Sequence, residues 1–492
     1  MIQEELTFRI RGCLGHVPTR EQEQAISLFV AFLTDHDSQT TMILRGSAGT
    51  GKTTLAAAIV KAMLALKQKI VLLAPTGRAA KVFSLYAGQS AYTIHRHIYR
   101  QKNAGGPPPG PLQREGESPF KLTNNLHTDT LFIVDEASMV ADLPLSLEGD
   151  GGRLFGGSLL DDLVQYVYGG RNCRMLIIGD KAQLPPVGED ESPALMGPVL
   201  RGYGLQVYET DLNEVLRQSQ ESGILKNATM VRQMITHDEM TQLPRLRLKG
   251  FADICVVHGN ELIESLATSY SRVGVDETIV VTRSNKWANI YNQGIRNMVL
   301  DREEELSRGD QLMIVKNNYA HSLKKEDGED TTASFLANGD RCVVQRVRNS
   351  HEMHGFRFAD VTLTFPDYDN SELTARVILD TLTSEAPALT REQQEQLFNK
   401  VMEDYADLPF KADRVKALKS DQYYNALQIK YGYAVTCHKA QGGQWAHVYI
   451  DQGYMTDDML TPDYIHWLYT AMTRATEKVF LVNWPDTQID MS

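Results

Sequence analysis

The apolar positions up to about residue 215 gather into short unbroken runs, separated by stretches that are apolar at helical spacing. TMILRG, IVLLAP, TLFIVDE, RMLIIGD and LQVYET are mostly runs of the kind that bury both faces of a strand, not alternations of apolar and polar positions. Such runs alternating with amphipathic stretches predict a parallel α/β sheet. A second set, ETIVVT, NALQIKY, AHVYID and KVFLVN, predicts a second α/β unit, with the join just after position 215.

Two stretches break this rhythm. NAGGPPPGPLQREGESP, near 103–119, has the Pro and Gly density of a hairpin tip and lies between the second and third strands of the first unit. The other break runs from about 305 to 424. There QLMIVKN, RCVVQRV and DVTLTF read as strands of a small barrel, and REQQEQLFNKVMEDY as a helical arm or ordinary surface insertion. The expected organisation is therefore a first unit over 1–95 and 126–215, a hairpin insertion over 96–125, a second unit over 216–304 and 425–492, and a barrel insertion with its arm over 305–424. The Gly-rich EGDGGRLFGG, within 148–157, suggests only a flexible loop.

Composition narrows the class without naming a partner. At 492 residues, 42% hydrophobic and 23% charged, the chain has the make-up of a globular protein of several domains. No apolar run reaches the roughly 20 residues a bilayer needs. The start lacks the order of a signal peptide. A cytoplasmic protein without membrane contact is expected. Five scattered cysteines without a CxxC pair argue against a zinc site or a disulfide framework. A net charge of −12 weighs mildly against nucleic acid, yet a protein that threads one strand needs positive charge only along a channel.

Chemistry enters at GSAGTGKT, which fits GxxxxGK[ST] between a strand and a helix. Gly46, Gly49 and Gly51 permit backbone angles that aim successive N–H groups at phosphate oxygens, and the helix start adds partial positive charge. The stretch Gly46, Ser47, Ala48, Gly49, Thr50, Gly51, Lys52, Thr53 and Thr54 is the expected nucleotide-binding loop. Lys52 can reach the outer phosphates, and the Thr53 hydroxyl can ligate Mg2+. LFIVDEAS ends a buried strand on Asp135 and Glu136. Asp135 can hold the Mg2+ of an ATP complex through water, and Glu136 can orient the attacking water. Without the upstream loop, the same acidic pair would read as a helix cap.

A P-loop with an acidic pair is shared by kinases, GTPases and helicases; the remaining strings decide among them. PTREQEQAI, LAPTGRAAKVF with AYTIHR, DEASMV, GDKAQLPPVG, LNEVLRQ, AVTCHKAQGGQW and LYTAMTRATEKV follow one another from about 18 to 482. In content and order they resemble the motifs of the RecD/Dda branch of superfamily 1 DNA helicases. That resemblance implies two RecA-like P-loop domains with parallel sheets, a β-hairpin pin and an SH3-like barrel. It also implies ATP with Mg2+, single-stranded DNA and ss/ds junctions as partners, 5′-to-3′ movement, and activity as a monomer.

The same resemblance assigns roles. Gln22 would read the adenine edge, and Gln183 would sense the γ-phosphate. Arg217 and Arg474 would reach over from the second unit to spread charge on the transferred phosphoryl group, where a lone arginine would otherwise be a surface ion pair. Thr76, Thr93, His95, His438, Lys439 and Gln441 are candidates for backbone contact with the strand. Two of these have plain alternatives: His95 as a core histidine and Thr76 as a helix cap. Gln444 stands where relatives often carry an acidic residue. At the hairpin, Tyr99 and Phe120 would stack on the last base pair or anchor the loop to the first unit. Against the helicase reading stand a nucleotide-switched binding module without unwinding and a nuclease subunit. The nuclease lacks a second carboxylate cluster.

Overall fold

The computed structural model describes residues 2–101, 120–146, 153–215, 222–237, 242–318, 320–323 and 335–490. The first set of runs folds as expected. Thr40–Gly46, Lys69–Ala74, Thr130–Val134, Arg174–Gly179 and Gln206–Leu212 lie parallel in the spatial order 5-1-4-3-2, with Ala91–Thr93 beside the second. Their Ile, Leu and Val side chains are buried on both faces by flanking helices, which is why the runs do not alternate. The register places Arg45 opposite Gly179 and Val134 opposite Ile177. The P-loop, Asp135 and Asp180 therefore leave the sheet at one carboxyl edge.

The second sheet is also parallel, in the order Ile254–Val257, Ala475–Val482, Trp445–Asp451, Thr278–Thr282 and Ala434–Thr436. One expectation fails here. The NALQIKY strand, Leu427–Tyr431, does not join this sheet; it closes the barrel, pairing with Gln311–Ile314 on one side and Ser371–Ile378 on the other. Its five buried residues suit either environment, so local pattern could not choose. The second parallel sheet instead takes the short AVT strand that follows. The barrel is closed by Arg341–Met353 and Phe356–Phe365. The arm, Arg391–Asp404 and Lys411–Lys419, is no loose insertion. Leu397, Val401 and Leu418 pack on Phe356, Phe358 and Ile378 of the barrel. A reciprocal Thr390–Gln393 capping box starts it, a device worth about 1 kcal/mol.

The base of the expected hairpin forms: Tyr99–Gln101 pairs antiparallel with Phe120–Leu122. Its Pro-rich tip lies outside the described residues. The Gly-rich stretch corrects an expectation, because Arg153–Ser158 is a strand paired with Pro144–Ser146, not simply a loop. Among the described residues no helix is long and apolar enough to cross a membrane, no group of three or more His, Cys, Asp or Glu could hold a metal ion, and no cysteines are paired.

Candidate active site in the cleft between the two sheets

The P-loop carries left-handed glycines where the turn needs them, Gly49 at φ 77° and Gly51 at φ 78°. Gly46 is required for space: a Cβ there would stand 3.0 Å from Thr50 Oγ1 and 3.2 Å from Lys52 Cβ. Thr50 Oγ1 donates to the Ser47 carbonyl at 2.8 Å, and Lys52 Nζ donates to the Gly46 carbonyl at 3.1 Å. Thr53 and Thr54 are exposed at the start of the helix Lys52–Ala65. Gln22 is fully buried beneath this loop. Its Oε1 accepts from the Thr19 N–H at 3.1 Å and its Nε2 donates to the Thr50 carbonyl at 3.3 Å. Here it braces the P-loop through one acceptor and one donor position of its amide.

Asp135 is buried at the end of its strand, accepting from Tyr86 Oη and, at 2.9 Å, from the Glu136 N–H. Burial, and then the Glu136 charge, hold its carboxyl above the ordinary range, while the Lys52 ammonium pulls it back. A buried carboxylate under like-charge pressure, with a hydroxyl at Thr53 available, is an oxygen set that a Mg2+ ion suits. Arg474, 2% exposed, reaches in from the second sheet, with Nη1 3.9 Å from Glu136 Oε1. Gln183 sits between them, donating to Glu136 Oε2 at 3.3 Å and accepting from Arg474 Nη2 at 3.1 Å. Three residues singled out from separate strings thus converge on one point. Arg217 lies outside the described residues.

Further bonds stitch the two sheets together here. Tyr469 Oη accepts from the Ala48 N–H of the P-loop at 2.9 Å and donates to Asp180 Oδ2 at 2.6 Å. The Leu184 N–H donates to Thr470 Oγ1 at 2.8 Å, and His466 Nδ1 lies 2.9 Å from the Ala182 carbonyl. Arg232, on the helix Gly223–His237, donates to Ser47 Oγ. None of these was singled out. Tyr469 and Thr470 lay inside the quoted LYTAMTRA string, whereas Arg232 sits on a helix with no such signal.

Two family models match separate parts of the chain. An AAA domain family matches residues 19–146, and the UvrD-like helicase C-terminal domain family matches residues 431–482. The ATP-dependent DNA helicase dda of Enterobacteria phage T4 is 25% identical over 65% of this chain and 66% of its own length. The ATP-dependent RecD2 DNA helicase of Deinococcus radiodurans is 24% identical over 89% of this chain, which spans 46% of that protein. The chain is thus similar, in both halves, to ATP-dependent DNA helicases of the dda and RecD2 kind. A crystal structure of a Bacteroides Pif1 helicase with ADP-AlF3 and single-stranded DNA aligns over 97% of this chain and 95% of its own, with 15% identity and a TM-score of 0.44.

The residues expected to touch the strand are dispersed in the chain, and several have other tasks. Thr76 caps the helix Gly77–Ala87 by accepting from the Ala79 N–H, and buried Thr93 caps the helix Ile94–Ile98. His95 packs between Tyr99 and Phe335, ring centroids 5.7 and 6.4 Å away, and burial lowers its pKa to about 4. A neutral enclosed imidazole is the core-histidine alternative, not a cationic contact. Gln441 is buried and spends its Nε2 on the Leu184 carbonyl at 2.6 Å, linking the two sheets. His438 is exposed. The Lys439 ammonium is buried without a hydrogen-bond partner, and burial lowers its pKa to about 8. Of the six, these last two keep side chains uncommitted to the protein.

Proposed function

We propose that the helicase couples ATP hydrolysis to 5′-to-3′ movement along single-stranded DNA and to duplex unwinding. The observation that carries this reading is the Glu136–Gln183–Arg474 cluster, because it joins the ATP site of one domain to a cation of the other. In it Lys52 and the P-loop N–H groups cradle the phosphates, and Glu136 orients the attacking water. Arg474 and Arg217 spread the charge of the transferred phosphoryl group. Thr53 and Asp135 hold the Mg2+, which neutralises phosphate charge when bound. Gln183 relays between water-orienting acid and arginine. Hydrolysis then depends on closure of the two domains, and each cycle of closing and opening can advance the strand by a step.

The polarity rests on the resemblance to the dda and RecD2 helicases. The test is strand displacement on matched duplexes with 5′ or 3′ single-stranded tails, run beside ATPase assays with and without oligothymidylate. Unwinding of the 5′-tailed duplex and many-fold ATPase stimulation are expected. Unwinding of 3′-tailed duplexes alone would overturn the polarity, and an ATPase indifferent to DNA would favour a nucleotide-switched binding protein.

A further inference from the structure

The helix Gly223–His237 is fixed in place without help from the phosphate loop. Asp253 holds its first turn, accepting the Gly223 N–H at 2.9 Å and the Ile224 N–H at 3.2 Å. Asn227, 1% exposed, ties the helix to Arg247, donating to its carbonyl and accepting its N–H, both at 2.7 Å. Ala228 and Val231 sink into the core of the second sheet with Leu468 and Met472. Arg232, next along, is half-buried and crosses to the first domain. Its Nη1 donates there to Ser47 Oγ and, at 3.4 Å, to Asn213 Oδ1.

Ser47 is thereby tied at all three of its polar groups. Its N–H donates to the Leu212 carbonyl at 3.4 Å, its carbonyl accepts from Thr50 Oγ1 at 2.8 Å, and its hydroxyl accepts from Arg232. The first two ties lie within the first domain; the third comes from the second. The next residue is held in the same way, since the Ala48 N–H donates to Tyr469 Oη. Burial, then the Asp180 charge, push the Tyr469 hydroxyl up, and the Arg232 charge opposes them. Two consecutive loop residues thus take bonds from the second domain, directly before the Gly49–Thr53 N–H groups that would face phosphate. A bond from a cation is stronger than a neutral one, and this one exists only while the domains are docked. Loop shape and docking are therefore linked, and the linkage runs both ways.

We propose that Arg232 is a positioning residue for ATP hydrolysis: acting through Ser47, it fastens the phosphate loop to the docked second domain. This rests on the reading of the cleft as the ATP site, and adds a contact that the Glu136–Gln183–Arg474 cluster does not make. Its effect falls on turnover, which needs docking, and spares nucleotide capture by the first domain.

The test measures steady-state ATPase with oligothymidylate, and ADP affinity by equilibrium titration, on the full chain. Arg232→Ala should lower kcat about 10-fold or more, the equivalent of one charge-assisted hydrogen bond, while the ADP Kd stays within about 3-fold. Ser47→Ala removes the acceptor and should lower kcat to the same extent, and the double variant should be no slower than either single one. Arg232→Lys should recover most of the rate, because one hydrogen bond to a hydroxyl does not need the guanidinium fork. An unchanged kcat in Arg232→Ala, a loss lying wholly in Kd, or losses that multiply in the double variant overturn the proposal and leave the ATP site intact. So does a slow Arg232→Ala beside a normal Ser47→Ala, which would put the guanidinium on the nucleotide itself. A wild-type chain without ATPase overturns both readings.

Discussion

Glu136 holds a left-handed backbone angle, φ 51°, which costs a non-glycine residue roughly 1–3 kcal/mol. Its N–H donates to Asp135 Oδ1, and its carboxylate lies beside Gln183 and Arg474. Glu136→Gln should therefore bind ATP and hydrolyse it on the order of 100-fold more slowly or worse, as expected for a lost proton acceptor. Lys52→Ala should abolish turnover. Near-normal steady-state ATPase in Glu136→Gln would remove the assignment. Arg474→Ala should lower kcat by on the order of 1,000-fold while nucleotide Kd changes much less, because its charge is needed mainly in the transition state. Equilibrium titration checks the split: a loss lying wholly in Kd would make Arg474 a binding residue.

At the scale of elements, the hairpin base and the Cys437–Ala440 helix carry the sharpest expectations. Tyr99 is 2% exposed and its Oη donates to Asp162 Oδ2 at 2.7 Å, so the ring anchors the hairpin to the first domain and does not face a base pair. Tyr99→Phe removes the donor from a carboxylate that burial already pushes up. It should destabilise the fold by roughly 1–3 kcal/mol in chemical denaturation, with DNA-stimulated ATPase little changed. A variant that unwinds poorly at full stability would return Tyr99 to the wedge role. Lys439 carries a pH signature. Burial brings it, and Lys430 beside it in the cavity, to about 8, and burial also lowers the pKa of His438 next to it, with Asp463 opposing. The ammonium is fully charged below its folded value and lost above it, so DNA affinity should decline from pH 7 to pH 9. Lys439→Gln should flatten that decline; an unaltered slope would mean that other groups produce it.

For the whole molecule, three bodies meet at one place. The helix Gly77–Ala87 of the first domain meets the barrel: Lys81 Nζ donates to the Pro366 carbonyl at 2.7 Å, and Arg78 and Lys81 lie 3.7 and 3.8 Å from Asp367. Arg78 also donates to the Gln444 carbonyl of the second domain at 2.8 Å and lies over the Trp445 ring. Gln444 thus contributes its backbone to this contact. Gly442 is a close approach, at φ 71°, where a Cβ would stand 3.0 Å from both Thr76 Oγ1 and Ala79 Cβ. Gly442→Ala combines left-handed strain of about 1–2 kcal/mol with a clash across the domains. It should reduce DNA-stimulated ATPase several-fold and expand the particle in small-angle scattering. Unchanged scattering and rate would show that closure does not need this contact.

Much of this architecture is written locally. The P-loop needs glycines at left-handed angles, a preceding buried strand and a following helix, and these are properties of contiguous residues; Gly46 through Thr54 and Asp135–Glu136 were legible for that reason. The barrel strands and the arm helix were visible through period, and the helicase motifs through their order. What lay beyond local pattern was every choice between partners far apart in the chain. Leu427–Tyr431 is equally apolar for a parallel sheet or a barrel, and only its neighbours 312–314 and 377–378 decided. Thr76, Thr93 and His95 have side chains that suit a phosphate or a protein group, and the fold spent them on helix caps and a core contact. Gln22 and Gln441 were likewise taken up by bonds to Thr50 and Leu184. Tyr469 and Arg232 gained their places at the P-loop because two separate sheets meet there, across 421 and 185 residues of sequence. The sequence by itself determined which chemistry was present and in what elements; tertiary structure decided which groups remained free to perform it, because a hydrogen-bonding side chain is claimed by whatever partner packing brings within about 3 Å.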